Sequence, residues 1–128
     1  DTVFYDMGSG LGKMVVHVGL KYNAKKSCGV ELSAERMVAA NEIKDKYCGD
    51  NIVLIEEDFF KVDISDATVV YVDNTAMQDP ITIKLFEMLP KGCLFICRRN
   101  CTKLNLTEIE NESLKTTYGK KNIFHIIK

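Results

Sequence analysis

Residues 2–20 read TVFYDMGSGLGKMVVHVGL, and this stretch decides the fold. A β-rich run, residues 2–5, leads into Asp6 and a loop with glycines at alternate positions, after which apolar residues continue at helical length. This order predicts a strand, a glycine loop and a helix. Glycine has no Cβ and accepts positive φ, so its backbone can approach a ligand closely, and the helix directs free N–H groups to the same place. We therefore expect the loop to hold a polar or anionic ligand.

Strand-like and helix-like segments alternate along most of the remaining chain. The predicted strands span residues 2–5, 27–30, 52–55, 68–72 and 93–97, and the predicted helices span residues 13–22, 33–47 and 80–88. This alternation, with continuous apolar strands, predicts an α/β fold with a doubly wound, mostly parallel sheet covered on both faces. Residues 114–118 and 122–127 are β-rich runs joined only by residues 119–121, so we expect an antiparallel C-terminal hairpin.

Polar residues or glycine follow the first four predicted strands. Gly8, Glu31, Asp58 and Asp73 come after strands one to four in turn. In parallel α/β sheets, ligands bind beyond the carboxyl ends of the strands. These four residues are therefore expected to line one site.

Composition narrows the class of protein. The 128 residues are 46% hydrophobic and 27% charged, which is typical of one globular domain. A net charge of −1 and a pI near 6.2 argue against strong nucleic-acid binding by this segment. No apolar run approaches the roughly 20 residues that a membrane span needs.

The cysteines and the first residue indicate the setting of the chain. Five cysteines without framework spacing favour a reducing, intracellular setting over a secreted disulfide scaffold. Cys93, Cys97 and Cys101 recur every four residues, but this is not a known zinc or iron–sulfur spacing, so we expect buried thiols and no metal site. Because the chain begins with Asp1 and its first strand follows at once, we interpret residues 1–128 as one domain of a longer protein.

Two nucleotide-binding motifs compete for the glycine loop, and neither fits. A P-loop, GxxxxGK[ST], would need a glycine where Met7 stands and Ser or Thr where Met14 stands. A dinucleotide fingerprint, GxGxxG, would need its third glycine at Lys13, one residue beyond Gly12. What remains is the pattern DxGxGxG at residues 6–12, followed by Glu31 at the end of the next strand.

This combination resembles motif I of the class I S-adenosylmethionine-dependent methyltransferases, and the likeness covers nearly the whole chain. It implies a seven-stranded Rossmann-like sheet whose last strand is antiparallel. It also implies that Glu31 accepts both ribose hydroxyls of S-adenosyl-L-methionine and that Asp58 and Phe59 hold the adenine. The cofactor-binding residues implied in this way are Asp6, Gly8, Ser9, Gly10, Gly12, Glu31, Asp58, Phe59 and Asp73.

In that superfamily the segment after the fourth strand, here VDNTA at residues 72–76, meets the methyl acceptor. The segment has no [ND]PP[YF] motif, which argues against methylation of adenine amines or glutamine amides, and the chain has no Pro-Cys dipeptide for a cytosine C5 mechanism. Together with GVE at residues 29–31 and Asp58-Phe59, it resembles the Dot-type histone lysine methyltransferases, the disruptor-of-telomeric-silencing family. The paired asparagines of that family appear here as Asp73-Asn74.

The resemblance implies methyl transfer to a protein lysine such as a histone lysine, and hence a histone or nucleosome partner and a nuclear location. Asp73 and Asn74 are the implied catalytic residues. Asp73 would accept a proton or stabilise an ammonium group, or it would only hydrogen-bond backbone or cofactor. Two alternatives stay open. One is a small-molecule O- or N-methyltransferase, with Asp73 and Asn100 as metal ligands in the catechol type, and the other is a domain that binds the cofactor without turnover.

Overall fold

Strand β1, Val3–Met7, lies in the interior of a seven-stranded sheet, and all five of its residues are buried. The structure is a computed structural model that describes residues 1–47, 49–109, 115–116, 119–120 and 122–128. Parallel strands pair with β1 on both sides, which explains why this run is continuously apolar up to Asp6.

Up to β5, the helices and strands follow in the order that the sequence predicts. They are β1 Val3–Met7, α1 Lys13–Lys21, β2 Lys26–Glu31, α2 Ala34–Tyr47, β3 Ile52–Glu56, β4 Val69–Val72, α3 Asp79–Met88, β5 Leu94–Cys97, β6 Thr107–Ile109, β7 Lys115–Thr116, β8 Gly119–Lys120 and β9 Ile123–Ile127. The predicted bounds up to β5 differ from these by at most two residues. None of the helices in the described ranges is both long and apolar enough to cross a membrane.

The strands of the large sheet lie in the order β3-β2-β1-β4-β5-β9-β6. The five strands from β3 to β5 are mutually parallel, and β9 is antiparallel to β5 and to β6. The strand order reverses between β1 and β4, and open α/β sheets bind ligands at such a reversal. The carboxyl ends of β1 and β4 therefore define where a site is expected.

Helices cover both faces of the sheet, as the doubly wound prediction requires. On one face Val15 and Val16 of α1 are buried with Ile52 of β3, and α1 also contacts α2. On the other face Leu85 of α3 and Leu89, which directly follows α3, join the main core. The two-sided α/β prediction is confirmed.

The prediction that the three regularly spaced cysteines are buried thiols is also confirmed. Cys93 is 1% exposed, and Cys97 and Cys101 are 0% exposed. Burial raises the pKa of Cys97 to about 11, which keeps this thiol protonated at neutral pH. These side chains therefore act as small apolar groups of the core.

The C-terminal strands differ from the predicted hairpin in how they pair. Strand β9 lies between β5 and β6, with Thr107 opposite His125, so the predicted antiparallel closure is confirmed. The predicted partner, residues 114–118, is wrong for its described part, because residues 115–116 pair with residues 119–120; residues 114, 117 and 118 lie outside the described residues. Strand β6 is the actual partner, and the sequence pattern missed it because all three of its residues are exposed at the sheet edge and show no apolar alternation.

Candidate active site

Glycines in the left-handed region build the loop after β1. The φ angle is 89° at Gly8, 56° at Gly10 and 72° at Gly12, values that glycine adopts without strain. The amides of Gly8 and Ser9 donate to the Val30 carbonyl oxygen at 2.8 and 2.9 Å, which ties the loop to the end of β2. Nothing lies within 4 Å of the place where a Cβ would stand at Gly8 or Gly10. The loop therefore presents bare backbone to open space.

Ser9 is buried directly over Gly29 of β2. A Cβ on Gly29 would come within 2.7 Å of Ser9 Oγ and 2.8 Å of Val15 Cγ2, so this position needs a glycine. Ser9 Oγ has no hydrogen-bond partner among the residues that the structure describes. Because a buried hydroxyl without a partner is unfavourable, a water molecule or a polar group of a ligand would stabilise this atom.

Glu31 ends β2 and is only 7% exposed. Its Oε1 accepts a hydrogen bond from Gly10 N at 3.1 Å, and its Oε2 accepts one from Ser33 N at 3.1 Å. Arg36 Nη1 lies 3.5 Å from Oε1. These two hydrogen bonds fix the carboxylate between the glycine loop and α2 and use two of its roughly four lone-pair sites. Glu31 also borders an open cavity of about 760 Å³, so the remaining sites can meet a ligand.

Asp58 and Phe59 begin a short 3-10 turn, Phe59–Lys61, after β3. Asp58 Oδ1 caps the turn by accepting from Phe60 N at 2.9 Å, and the ring of Phe59 packs edge-on against that of Phe60. Glu57 N donates to the Glu31 carbonyl oxygen at 3.1 Å. The structure therefore places Asp58 and Phe59 at the strand end next to Glu31, as the sequence predicts.

Three acidic residues of the predicted site interact through space. Asp6 is 5% exposed, and its burial, followed by the charges of Asp73 and Glu31, raises the pKa of Asp6 to about 7. The structure thus brings Asp6 of β1 near the residue that follows β4. A ligand that brings a positive charge between Asp6 and Asp73 would favour the ionised form of Asp6.

The raised pKa of Asp6 predicts a pH-dependent stability. Because the folded state holds this proton more tightly than the unfolded chain, the contribution of Asp6 to stability is largest below about pH 4 and is lost as the pH rises through about 7. We expect the free energy of unfolding of the wild type to fall by roughly 4 kcal/mol across this window relative to Asp6→Asn. Urea unfolding of both proteins from pH 4 to 8 measures the difference. A free energy of unfolding that varies with pH equally in the wild type and in Asp6→Asn would contradict the prediction. Asp50→Asn, which changes an exposed carboxylate, is the matched control.

Asp73 is the first residue of the segment that joins β4 to α3, residues 73–78, which we call the β4–α3 segment. Its Oδ1 accepts hydrogen bonds from Thr75 N at 3.2 Å and Thr75 Oγ1 at 2.7 Å, and Arg98 Nη1 lies 3.8 Å from its Oδ2. The Asp73 side chain nevertheless remains 50% exposed. The Asp73 carboxylate is therefore held in place and is still accessible to a bound ligand.

Asn74 is fully buried and joins the ends of β4 and β5. Its Oδ1 accepts from Arg98 N at 3.1 Å and Arg99 N at 2.7 Å, and its Nδ2 donates to the Arg99 carbonyl oxygen at 3.0 Å and to Thr82 Oγ1 at 3.4 Å. The side-chain amide is thus engaged on both its oxygen and its nitrogen. This geometry favours a role in holding the site over contact with the acceptor.

Sequence reasoning missed the arginines that contact the predicted residues. Arg98 lies against Asp73, Arg99 binds the β4–α3 segment, and Arg36 lies against Glu31. A signal for the first two was present, because Arg98 and Arg99 directly follow a predicted parallel strand, where site residues are expected.

The sheet order, the glycine loop and the acidic residue that ends β2 give this domain the Rossmann-like fold that solved methyltransferases share. The particular family follows from a comparison of sequences. The family model described as histone methylation protein DOT1 matches residues 1–127, and the chain belongs to this family.

One similar protein has a named activity. It is a protein-lysine N-methyltransferase of Saccharolobus islandicus (strain REY15A), which is 39% identical over 72 residues. The match covers 55% of this chain and 44% of that protein, so it spans less than half of the relative's length.

Solved structures show the same fold. The RNA methyltransferase from Salinibacter ruber in complex with S-adenosyl-L-homocysteine has a TM-score of 0.81 at 22% identity, covering 98% of this chain and 80% of that one. TYW2 of M. jannaschii in complex with AdoMet has a TM-score of 0.71 at 15% identity, covering 98% of this chain and 67% of that one. At these identities the likeness concerns the fold alone.

Proposed function

We propose that this domain binds S-adenosylmethionine and transfers its methyl group to the ε-amino group of a protein lysine. The observation that carries the proposal is the convergence of the bare glycine loop, buried Glu31 and half-exposed Asp73 around the β1–β4 reversal. Membership of the DOT1 family and the similarity to a protein-lysine N-methyltransferase support it. A histone lysine is the specific acceptor that the family description favours, and a nuclear location would follow from it.

The residues at the site suit this cofactor. Glu31 has free lone pairs for the two ribose hydroxyls, and Ser9 Oγ is a buried hydroxyl that lacks a partner among the described residues. Asp58 would accept from the exocyclic amine of the adenine while Phe59 packs on the ring. Asp6 and the glycine loop would face the amino acid portion, whose ammonium group favours a carboxylate. No phosphate-binding lysine is needed, because this cofactor carries no diphosphate.

When bound, the cofactor supplies a methyl group activated by a sulfonium. A lysine acceptor must be neutral to attack it, and at pH 7 a side chain with a pKa near 10.4 needs roughly 4–5 kcal/mol to lose its proton in water. Asp73, a half-exposed carboxylate after β4, would accept that proton or stabilise the positive charge of the amine. Asn74 would act through Asp73 by holding the strand end that carries it.

A metal-assisted transfer to a small-molecule hydroxyl is a second candidate, with Asp73 and Asn100 as ligands. The Arg98 guanidinium disfavours it, because a cation 3.8 Å from Asp73 Oδ2 would repel a metal ion at that oxygen. Cofactor binding without turnover is the third candidate. In the described residues, no contact or distance favours either of these two candidates over lysine methylation.

The acceptor is tested by transfer of a radiolabelled methyl group with the full-length protein. Nucleosomes, free histones, other lysine-rich proteins and a panel of small molecules with and without Mg²⁺ form the arms of the assay. We expect label on protein lysines, identified by mass spectrometry of the digested product. Label only on small molecules, or heat of S-adenosylhomocysteine binding without any transfer, would overturn the proposal.

The role of Asp73 is tested by Asp73→Asn. If Asp73 assists deprotonation, we expect kcat at pH 7 to fall about 100-fold, and the deficit to shrink toward pH 9, where more of the lysine is already neutral. The pH profile of kcat at saturating cofactor measures this, with Asp50→Asn as a matched exposed carboxylate. Unchanged turnover of Asp73→Asn from pH 6 to 9 would show that Asp73 has no such role.

A further inference from the structure

Arg99, the second residue after β5, contacts the β4–α3 segment at several points. Its Nε donates to the Asn74 carbonyl oxygen at 3.2 Å, and its Nη2 donates to the Met77 carbonyl oxygen at 2.7 Å. Its Nη1 lies 2.7 Å from Asp79 Oδ1 and also donates to the Asn100 carbonyl oxygen at 3.3 Å. One guanidinium therefore binds the start and the later part of the segment, and the first residue of α3.

The backbone of Arg99 adds to the same connection. Arg99 N donates to Asn74 Oδ1 at 2.7 Å, and the Arg99 carbonyl oxygen accepts from Asn74 Nδ2 at 3.0 Å. The parallel register pairs Val72 with Cys97, which brings the residues after β4 beside those after β5. Arg99 is thus fixed at its backbone, and its side chain is directed at the segment.

The chemistry of the contacts requires an arginine. The guanidinium is a planar fork with five N–H donors, and here its three nitrogens reach different carbonyl or carboxylate oxygens. A lysine ammonium in the same place could keep the ion pair with Asp79, but it could not span the Asn74 and Met77 carbonyl oxygens in a fixed geometry. Asp79 also lies at the N-terminus of α3, where the helix dipole favours its negative charge.

From these contacts we propose that Arg99 is a positioning residue for methyl transfer, an inference that rests on the proposed function. Asp73 stands directly before the residues that Arg99 binds, so their geometry sets where the Asp73 carboxylate lies relative to the acceptor. Within the described part of the chain, the contacts of Arg99 do not include the glycine loop, Glu31 or Asp58, so cofactor binding should not depend on it. Displacements of about 1 Å in a reacting group lower rates substantially.

The test is Arg99→Lys in the full-length protein, which keeps the charge and removes the fork. We expect kcat for lysine methylation to fall at least 10-fold, while KM for S-adenosylmethionine and the affinity for S-adenosylhomocysteine stay within twofold of the wild type. Asp79→Asn, which removes the ion pair and leaves the carbonyl contacts, should lower kcat by less.

Lys103→Gln, an exposed cation on the turn after β5, is the matched control and should leave kcat unchanged. A purely structural role of Arg99 would lower the melting temperature but leave kcat of the folded protein within twofold, and this result would overturn the inference. A rise in KM for the cofactor at constant kcat would overturn it as well. If the wild type transfers no methyl group to any protein, the proposed function itself fails, and the inference fails with it.

Discussion

Replacing Glu31 by alanine is expected to weaken the binding of S-adenosylhomocysteine by at least about 100-fold. Each hydrogen bond to a charged acceptor contributes roughly 1.5–3 kcal/mol, and two ribose hydroxyls would donate to this carboxylate. The side chain is preorganised for them by Gly10 N and Ser33 N, both at 3.1 Å. Loss of those contacts would also loosen the glycine loop, which adds to the effect.

Isothermal titration calorimetry with S-adenosylhomocysteine measures this affinity. Glu31→Gln separates charge from shape, because it retains one side-chain oxygen acceptor, and its affinity should lie between those of the wild type and Glu31→Ala. Glu56→Ala is the matched control, since Glu56 pairs with Glu31 in the β2–β3 register but is exposed. An affinity of Glu31→Ala within threefold of the wild type would exclude Glu31 from the cofactor site.

Asn74→Ala is expected to lower the free energy of unfolding by about 3–5 kcal/mol, a large value for one substitution. Asn74 is 0% exposed, and its truncation removes the hydrogen-bond partner of three backbone groups. These groups are the N–H groups of Arg98 and Arg99 and the carbonyl group of Arg99. Each such unsatisfied group costs about 1–3 kcal/mol, and water entering the cavity would recover part of this.

Urea unfolding followed by circular dichroism measures the loss. Asn74→Asp should not rescue it, because a carboxylate oxygen in place of Nδ2 would face the Arg99 carbonyl oxygen. Asn100→Ala, at an exposed asparagine next to Arg99 in the chain, should change the stability by less than about 0.5 kcal/mol. A loss below about 1 kcal/mol for Asn74→Ala would show that these hydrogen bonds are replaced by water at little cost.

The two predictions separate two kinds of site residue. Glu31 borders an open cavity and would act on the cofactor directly, so its loss should change affinity more than stability. Asn74 is enclosed by protein and would act through the residues it joins, so its loss should change stability first. Both residues lie at the carboxyl ends of strands, and only the structure tells their roles apart.

The element order up to β5 could be predicted because its signals are local. Buried parallel strands read as apolar runs, and Pro80 and Gly92 stand where α3 begins and where β5 is about to start. Strand β6 could not be predicted in this way, since an exposed edge strand of three residues has no apolar pattern. Because β6 has no apolar pattern, the sequence also predicted the wrong pairing partner for β9.

The sequence by itself determined the glycine loop, the acidic residue that ends β2 and the expectation of a site at the strand ends. Those features depend on residue types that the local backbone requires, such as positive φ at Gly8, Gly10 and Gly12. The tertiary structure alone decided that Asn74 is buried and that Arg99 holds the β4–α3 segment. The reason is the pairing of Val72 with Cys97, because this register brings together residues about 25 positions apart that no local pattern connects.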